Sequence, residues 1–253
     1  MIYFIIPAYN EENNILSLCS HIAEHMERVQ KPYKVVIIND GSTDGTLEKI
    51  ISIQNQMPVE VHSHYPNQGV GVAFQNGFKI ALELSKSAED IGVTLEADNT
   101  SDLKIMDQML KRIEEGHDVA LASCYAKEGG VLGTKFHRKV LSKIANFLFY
   151  LILPIRNVRT YSSFYRAYRM STLKKLKSIY GECLILEKGF ECMVELLIKL
   201  AKLPGIKIVE VPMILHGQNR IGKSKMPVLA TIKGFLKVIL VHGFINRKLT
   251  ATS

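Results

Sequence analysis

Through the first 125 residues, short unbroken apolar runs alternate with longer stretches whose apolar positions recur at helical spacing. Ile2–Ile6 is one such run, stopped by Pro7, and the pattern from Glu12 to Val29 predicts a helix. Val35–Ile38, Val59–His62, Ile91–Leu95 and Asp118–Ala122 read as further strands. Gly45–Gln56, Val70–Ser85 and Leu103–Glu115 read as the helices between them. Strands written as continuous Val/Ile runs are covered on both faces, and their alternation with helices predicts βαβ units around a mostly parallel sheet. Ligands bind such sheets beyond the carboxyl ends of the strands. The places to look for chemistry are therefore the residues just after Ile6, Ile38, Leu95 and Ala122.

Beyond residue 125 the rhythm changes. Gly129-Gly130 opens a loop and Arg138–Leu153 predicts a very apolar helix. Phe164–Tyr168 and Lys207–Val211 predict strands, with a helix over Glu187–Leu203 between them. A last apolar helix is expected over Val228–Ile245. The division expected is one α/β domain over 1–226 and a C-terminal amphipathic helix and tail over 227–253.

Four segments at the predicted strand exits carry polar groups. The first is Pro7-Ala8-Tyr9-Asn10-Glu11-Glu12, and the second is Asn39-Asp40-Gly41-Ser42-Thr43-Asp44-Gly45-Thr46. Each also reads as a helix start, with Asn10 or Asp44 capping free amides. Asp40 is placed to accept hydrogen bonds from a nucleobase or ribose. The third segment, Asn67-Gln68-Gly69-Val70-Gly71, brings glycines to a helix N-terminus, where backbone can approach a phosphate, although taken alone a plain turn explains them better. In the fourth, Glu96-Ala97-Asp98, two carboxylates one residue apart can bracket a hard divalent cation, Mg2+ or Mn2+, shared with substrate phosphates. Such a cation would neutralise a departing diphosphate.

In this order the four segments resemble the family-2 glycosyltransferases of the GT-A fold, and the resemblance extends to about residue 226. It implies nucleotide-sugar contacts from Pro7, Tyr9, Glu11, Asp40, Gly71, Glu96, Ala97 and Asp98, with Glu96 and Asp98 on the metal. Glu96 stands where the family usually has aspartate. The second half is similar to the dolichol- and polyprenyl-phosphate sugar synthases, through Val119–Tyr125 with Gly129-Gly130, Arg138 with Ser142, Phe164–Tyr168, Glu195, and Arg220-Ile221-Gly222-Lys223-Ser224-Lys225. That likeness implies Arg138, Ser142, Arg220, Ser224 and Lys225 on the acceptor phosphate, and Asp98, Arg138, Arg220 and Lys225 at the reacting groups. An ionised lipid phosphate needs positioning and charge neutralisation more than a general base. A saccharide hydroxyl would need one, for which Glu191 and Glu195 are the candidates. Cys124 stands where the subgroup carries arginine, with Lys127 nearby as a substitute. The aspartate expected before the Phe164–Tyr168 block is absent.

The chain has 253 residues, 47% of them hydrophobic, and a net charge of +8, which suits an anionic surface or a phosphate-bearing ligand. No nucleic-acid motif is present. Cys19, Cys124, Cys183 and Cys192 form no C-x-x-C pair and read as free thiols. There is no signal peptide pattern and no run of about 20 apolar residues, so the expectation is a protein peripheral to the cytoplasmic face of a membrane. Val140–Leu153 and Val228–Ile245 would be its interfacial helices, with Lys233, Lys237, Arg247 and Lys248 toward headgroups; the same helices would also serve a homodimer seam. Two other readings stay open. A nucleotidyltransferase on a similar sheet would want a basic Gly-rich loop where this chain has Glu11-Glu12, and a binding module that has lost catalysis is compatible with Glu96 and Cys124.

Overall fold

A computed structural model describes residues 1–250 apart from 135 and 223–224, and leaves the side chains of 137–138 and 242–250 undescribed. The alternation predicted for the first half is observed. In chain order the elements are β1 (Ile2–Ala8), α1 (Ile15–Val29), β2 (Tyr33–Asp40), α2 (Thr46–Ile53), β3 (Val59–His64), α3 (Val70–Leu84), β4 (Ile91–Thr94), α4 (Lys104–Glu114) and β5 (Val119–Ser123). The second half adds β6 (Gly130–Leu132), α5 (Phe136–Ile152), β7 (Arg166–Arg169), α6 (Met170–Tyr180), α7 (Cys192–Ala201), β8 (Ile208–Pro212), β9 (Ile214–His216) and α8 (Val228–Thr250).

Seven strands form one sheet in the order β3-β2-β1-β4-β7-β5-β8. All neighbours are parallel except β7, which runs antiparallel to both β4 and β5, with Arg169 opposite Ile91 and Tyr168 opposite Val119. β6 and β9 pair separately. The side chains of β1 show why its run is unbroken: Tyr3 and Ile5 join the core beneath α3, α6 and α7, while Phe4 and Ile6 join the core beneath α1 and α4. Burial of both faces at roughly 25 cal/mol per Å² of apolar surface is the main stabilising term.

Four departures from the sequence expectation have local causes. α1 begins at Ile15 rather than Glu12, because Asn10 takes a left-handed φ of 53° and the Glu11 carbonyl accepts the amides of Asn14 and Ile15 in a preceding turn. α7 begins at Cys192 rather than Glu187, since the Lys188 carbonyl is turned away to accept the Gly71 amide. β7 begins at Arg166 rather than Phe164. Its first residue is fully buried, and the guanidinium donates to the carbonyls of Ser163, Tyr161 and Met193 at 2.7–2.8 Å. α6 was not expected, although Met170, Leu173 and Leu176 lie at helical spacing and are buried.

α8 seats Thr231, Gly234 and Val238 against the domain. A Cβ on Gly234 would come within 2.4 Å of the Glu191 carboxylate, so the close approach needs glycine there. No described helix is long and apolar enough to cross a membrane.

Candidate active site

The loops after β1, β2 and β4 meet at the carboxyl end of the sheet, as predicted, and line a cavity of about 1210 Å3. Its polar end holds Pro7, Tyr9, Glu11, Asp40, Glu96, Ala97 and Asp98. Its other end is an apolar trough between α5 and α8, walled by Leu141, Ala145, Leu148, Phe149, Ile232, Phe235, Leu236 and Ile239.

On the nucleotide side the polar side chains largely hold the loops themselves. The Asp40 carboxylate accepts the amides of Gln68 and Gly69, both at 2.9 Å, and faces His64 Nδ1 at 2.7 Å. Asn76 Nδ2 stands 2.8 Å from His64 Nε2, so an imidazole protonated on Nδ1 satisfies both neighbours. Asn10 Oδ1 accepts the Thr43 amide at 2.8 Å, and Asp44 accepts the Thr46 amide and hydroxyl just ahead of α2, whose N-cap position is Gly45 rather than the expected Asp44. Gly69, at φ +100°, and Val70 line the cavity. Gly71 does not: a Cβ there would lie 1.9 Å from the Glu187 carbonyl oxygen, so packing requires the glycine.

Asp98 and Glu96 follow β4. Asp98 is 3% exposed and accepts the Thr100 amide at 3.1 Å and hydroxyl at 2.7 Å. Its second oxygen is held by the Arg220 guanidinium, which also lies 3.9 Å from Glu96. Desolvation in the cleft pushes the Glu96 carboxyl above the usual carboxylate range; Arg220 opposes the shift and Glu11 adds to it. The donor chemistry fits a hard cation, which takes one or two carboxylates and completes its shell with phosphate oxygens. Among the described residues no third His, Cys, Asp or Glu joins them.

The segment between β9 and α8 lies across this cleft as a strap. Besides Arg220, Lys225 Nζ reaches Glu11 at 2.7 Å and the Asn10 carbonyl at 2.5 Å. Asn14 is tied to the Ile221 backbone on both its amide and its carbonyl. The four segments read in the first half and the basic motif of the second therefore converge. Ser142 also lines the cavity, accepting the Tyr125 hydroxyl at 2.8 Å. The side chain of Arg138, the residues Lys223 and Ser224, and the side chains of Arg247 and Lys248 lie outside the described residues.

Several expectations are corrected. Glu195 is no base: it is 2% exposed, accepts the amides of Leu186 and Glu187, and pairs with Lys199 at 2.6 Å. Glu191 lies under α8, and neither glutamate lines the cavity. Burial pushes the Cys124 thiol up to about 11, so it stays a neutral wall group, and Lys127 is exposed away from the lining. Lys237 pairs with Glu187 at 2.8 Å instead of standing free for headgroups. Thr160 and Ser162, which line the cavity in the stretch lacking the expected aspartate, were not legible as site residues. The Thr160 amide is fixed by Glu210, 50 residues away in the chain.

The sequence profile described as Glycosyl transferase family 2 matches residues 3–177. Among curated proteins, a dolichol-phosphate mannosyltransferase of Pyrococcus furiosus is 30% identical over 223 residues, 88% of this chain and 58% of that protein. The chain thus spans somewhat over half that relative's length. A polyprenol monophosphomannose synthase of Mycolicibacterium smegmatis is 28% identical over 224 residues, 88% of this chain and 79% of that one. Among solved structures, the glucosyl-3-phosphoglycerate synthase of Mycobacterium tuberculosis, crystallised with Mn2+, UDP and phosphoglyceric acid, superposes with a TM-score of 0.65 at 18% identity, covering 94% of this chain and 76% of that one. S. aureus TarS 1-349 gives 0.55 at 21%, covering 83% and 58%. At those identities the likeness is one of fold, the GT-A arrangement.

Proposed function

The chain belongs to glycosyl transferase family 2, and from that premise we propose that it is an inverting glycosyltransferase moving a sugar from a nucleotide-diphosphate sugar to a polyprenyl phosphate. The observation that carries the reading is the continuity of one cavity, from the nucleotide loops at Asp40 and Asp98 to the apolar trough between α5 and α8. A nucleotide, a sugar and two phosphates are polar, whereas a polyprenyl chain needs an apolar channel beside them. The curated relatives, which are named for lipid-phosphate sugar transfer, support the same assignment.

In this reaction an oxygen of the acceptor phosphate attacks the anomeric carbon. The bond from that carbon to the nucleotide diphosphate breaks, and the electron pair leaves with the diphosphate. The attacking oxygen carries no proton at neutral pH, so no base is required. The carboxylates that line the cavity are Glu11, Asp40, Glu96 and Asp98, all on the donor side. That distribution favours the phosphate acceptor over a hydroxyl. Arg220 and Lys225 are the cations placed to hold the two phosphates apart from their present carboxylate partners, with bidentate geometry available only to the arginine. Glu96 and Asp98 would hold a divalent cation, Mg2+ or Mn2+, which supplies charge neutralisation to the leaving diphosphate. Arg138, Ser142 and Ser224 are kept as further acceptor-side residues of this proposal.

Exposed apolar residues on α5 and α8 support reading the trough as lying at a membrane surface: Phe147, Tyr150 and Leu151 on α5, and Leu229, Leu236 and Leu240 on α8. The protein is read as peripheral to that surface, with the donor site open to the cytoplasm. The test is a transfer assay with labelled nucleotide sugars of each base, offered either a polyprenyl phosphate or an oligosaccharide, with Mn2+ or Mg2+ and with chelator. Metal-dependent product on the lipid phosphate alone is expected. Product on the oligosaccharide alone would overturn the acceptor, and donor binding without turnover on either would overturn the activity.

A further inference from the structure

At the opposite edge of the sheet from the donor cleft, where β5 and β8 begin, lies a second cavity of about 460 Å3. The loop leaving α5 forms one wall and the end of α7 the other. Its polar lining is basic, from His117, Arg156, Lys202 and Lys207, and the lining contains no aspartate or glutamate. The remainder is aliphatic, including Leu153 and Ile155.

Among the described residues, the cations lining this cavity share the lack of an ion pair with some exposed lysines, such as Lys86 and Lys104, but here three of them face one concavity. Arg28, Lys31, Lys34, Arg112, Arg169 and Lys177 each meet a carboxylate within 4.0 Å. The side chains of Arg156, Lys202 and Lys207 have no hydrogen bond or ion pair among the described residues. The nearby Asp118 is already engaged, by the Lys207 amide at 2.8 Å and the Thr172 hydroxyl at 3.0 Å. Lys202 is half-buried at the end of α7; burial and the neighbouring Lys199 both push its ammonium below the usual lysine range. Arg156 and Lys207 are exposed and Lys202 is half-buried, so the three charges together raise a positive potential over one concavity, with Asp118 the nearby carboxylate, and a bound anion is favoured there. Leu153 of the lining follows Leu151 and Ile152, both exposed at the end of α5, so apolar surface lies close by in sequence for an anion attached to a hydrocarbon chain.

We propose that this cavity is an accessory site for a phosphate-bearing anion, separate from the donor and acceptor phosphates and independent of the transfer reaction. Arg156 supplies the planar donor pair suited to phosphate, and Lys202 and Lys207 supply point charges. The phosphate belongs to a phospholipid headgroup or to a soluble phosphate compound.

The experiment uses the full chain and the variants Arg156→Gln, Arg156→Lys and Lys202→Gln/Lys207→Gln, with Lys86→Gln/Lys104→Gln as a charge-matched control on exposed sites elsewhere. Binding is read by co-sedimentation with phosphatidylglycerol or phosphatidylcholine vesicles, and by thermal shift with inorganic phosphate. Nucleoside diphosphate binding, read the same way, reports that each variant is folded. The expected result is a loss of about fivefold in affinity for each cavity cation removed, restored in part by Arg156→Lys and absent from the control. Loss confined to phosphatidylglycerol vesicles identifies a headgroup, and loss of a saturable phosphate shift identifies a soluble anion. Equal losses in cavity and control variants, or no loss in either assay, would overturn the site.

Discussion

The two walls of the donor cleft are held by different kinds of bond. On the wall formed by the loops after β1 and β2, carboxylates and amides bind backbone: Asp40 to Gln68 and Gly69, Glu12 to Gly45, Asn10 to Thr43. That wall is already shaped before a nucleotide arrives. On the wall formed by the strap before α8, the cations meet carboxylates, Arg220 on Asp98 and Lys225 on Glu11, while Asn14 holds the Ile221 backbone and Lys225 also reaches the Asn10 carbonyl. A phosphate can replace either carboxylate as the partner of these cations while the Asn14 bonds keep the Ile221 backbone in place. The contrast teaches where binding selects a shape and where it changes one. The first wall fits its ligand, and the second exchanges partners for it.

Three perturbations break or sharpen that contrast, taken from the largest effect. Arg220→Ala removes the exchanging cation, and turnover should fall by about 100-fold, the scale of losing one charge-stabilising donor. Nucleoside diphosphate affinity should change by much less, and single-turnover kinetics beside a binding titration separate the two. Unchanged turnover would show that the strap only covers the cleft. Asp40→Asn tests the other wall. Asparagine presents one acceptor oxygen to a position that serves two amides and an imidazole, so unfolding in urea should show a loss of about 2 kcal/mol. Lys225→Gln, on the exchanging wall and one-third exposed, should cost about 1 kcal/mol or less in the same experiment. Equal costs would erase the distinction.

The smallest effect is a pH dependence. Desolvation raises the Glu96 pKa in the free protein, with Arg220 opposing and Glu11 adding to it, whereas a bound cation would favour the ionised form. The free state therefore binds more protons than the complex, so metal-dependent nucleotide affinity should weaken as pH falls through the raised Glu96 value. The weakening should begin above the range of an ordinary glutamate. A series of thermal shifts with nucleotide and Mn2+ from about pH 8 down to 5 follows it by mass action. Glu96→Gln should bind more weakly and lose this part of the pH dependence; an unaltered profile would remove Glu96 from the metal.

The difference between the walls also marks what could be read from the sequence. The parallel core was legible, because runs such as Val35–Ile38 are buried on both faces and the helices between them are long enough to show their period. The polar segments at strand exits were legible by the same topology, and Glu96, Asp98 and Arg220 do meet. Hidden from it were backbone contacts made through irregular loops, some only eight or nine residues away and some more than a hundred. Glu195 looked like a free carboxylate because nothing in its neighbourhood announces the amides of Leu186 and Glu187. Gly71 looked like a phosphate glycine because the Glu187 carbonyl that demands it lies more than a hundred residues on. Strands of three residues, such as β6 and β9, are too short for a period of two to appear.

The antiparallel β7 has a consequence for how the chain is made. It lies between β4 and β5, so those two strands never touch, and the sheet is in two pieces until Arg169 has been synthesised. Until then β4 presents an open edge of unpaired amides and carbonyls, the kind of edge on which other chains template. The excursion from Cys124 to Tyr165, which supplies α5 and much of the apolar trough, is completed before the piece that closes the sheet. A nascent chain or truncation ending at the close of α5 thus carries exposed apolar side chains such as Phe147 and Leu151 together with an unprotected edge, and its synthesis needs shelter at that stage.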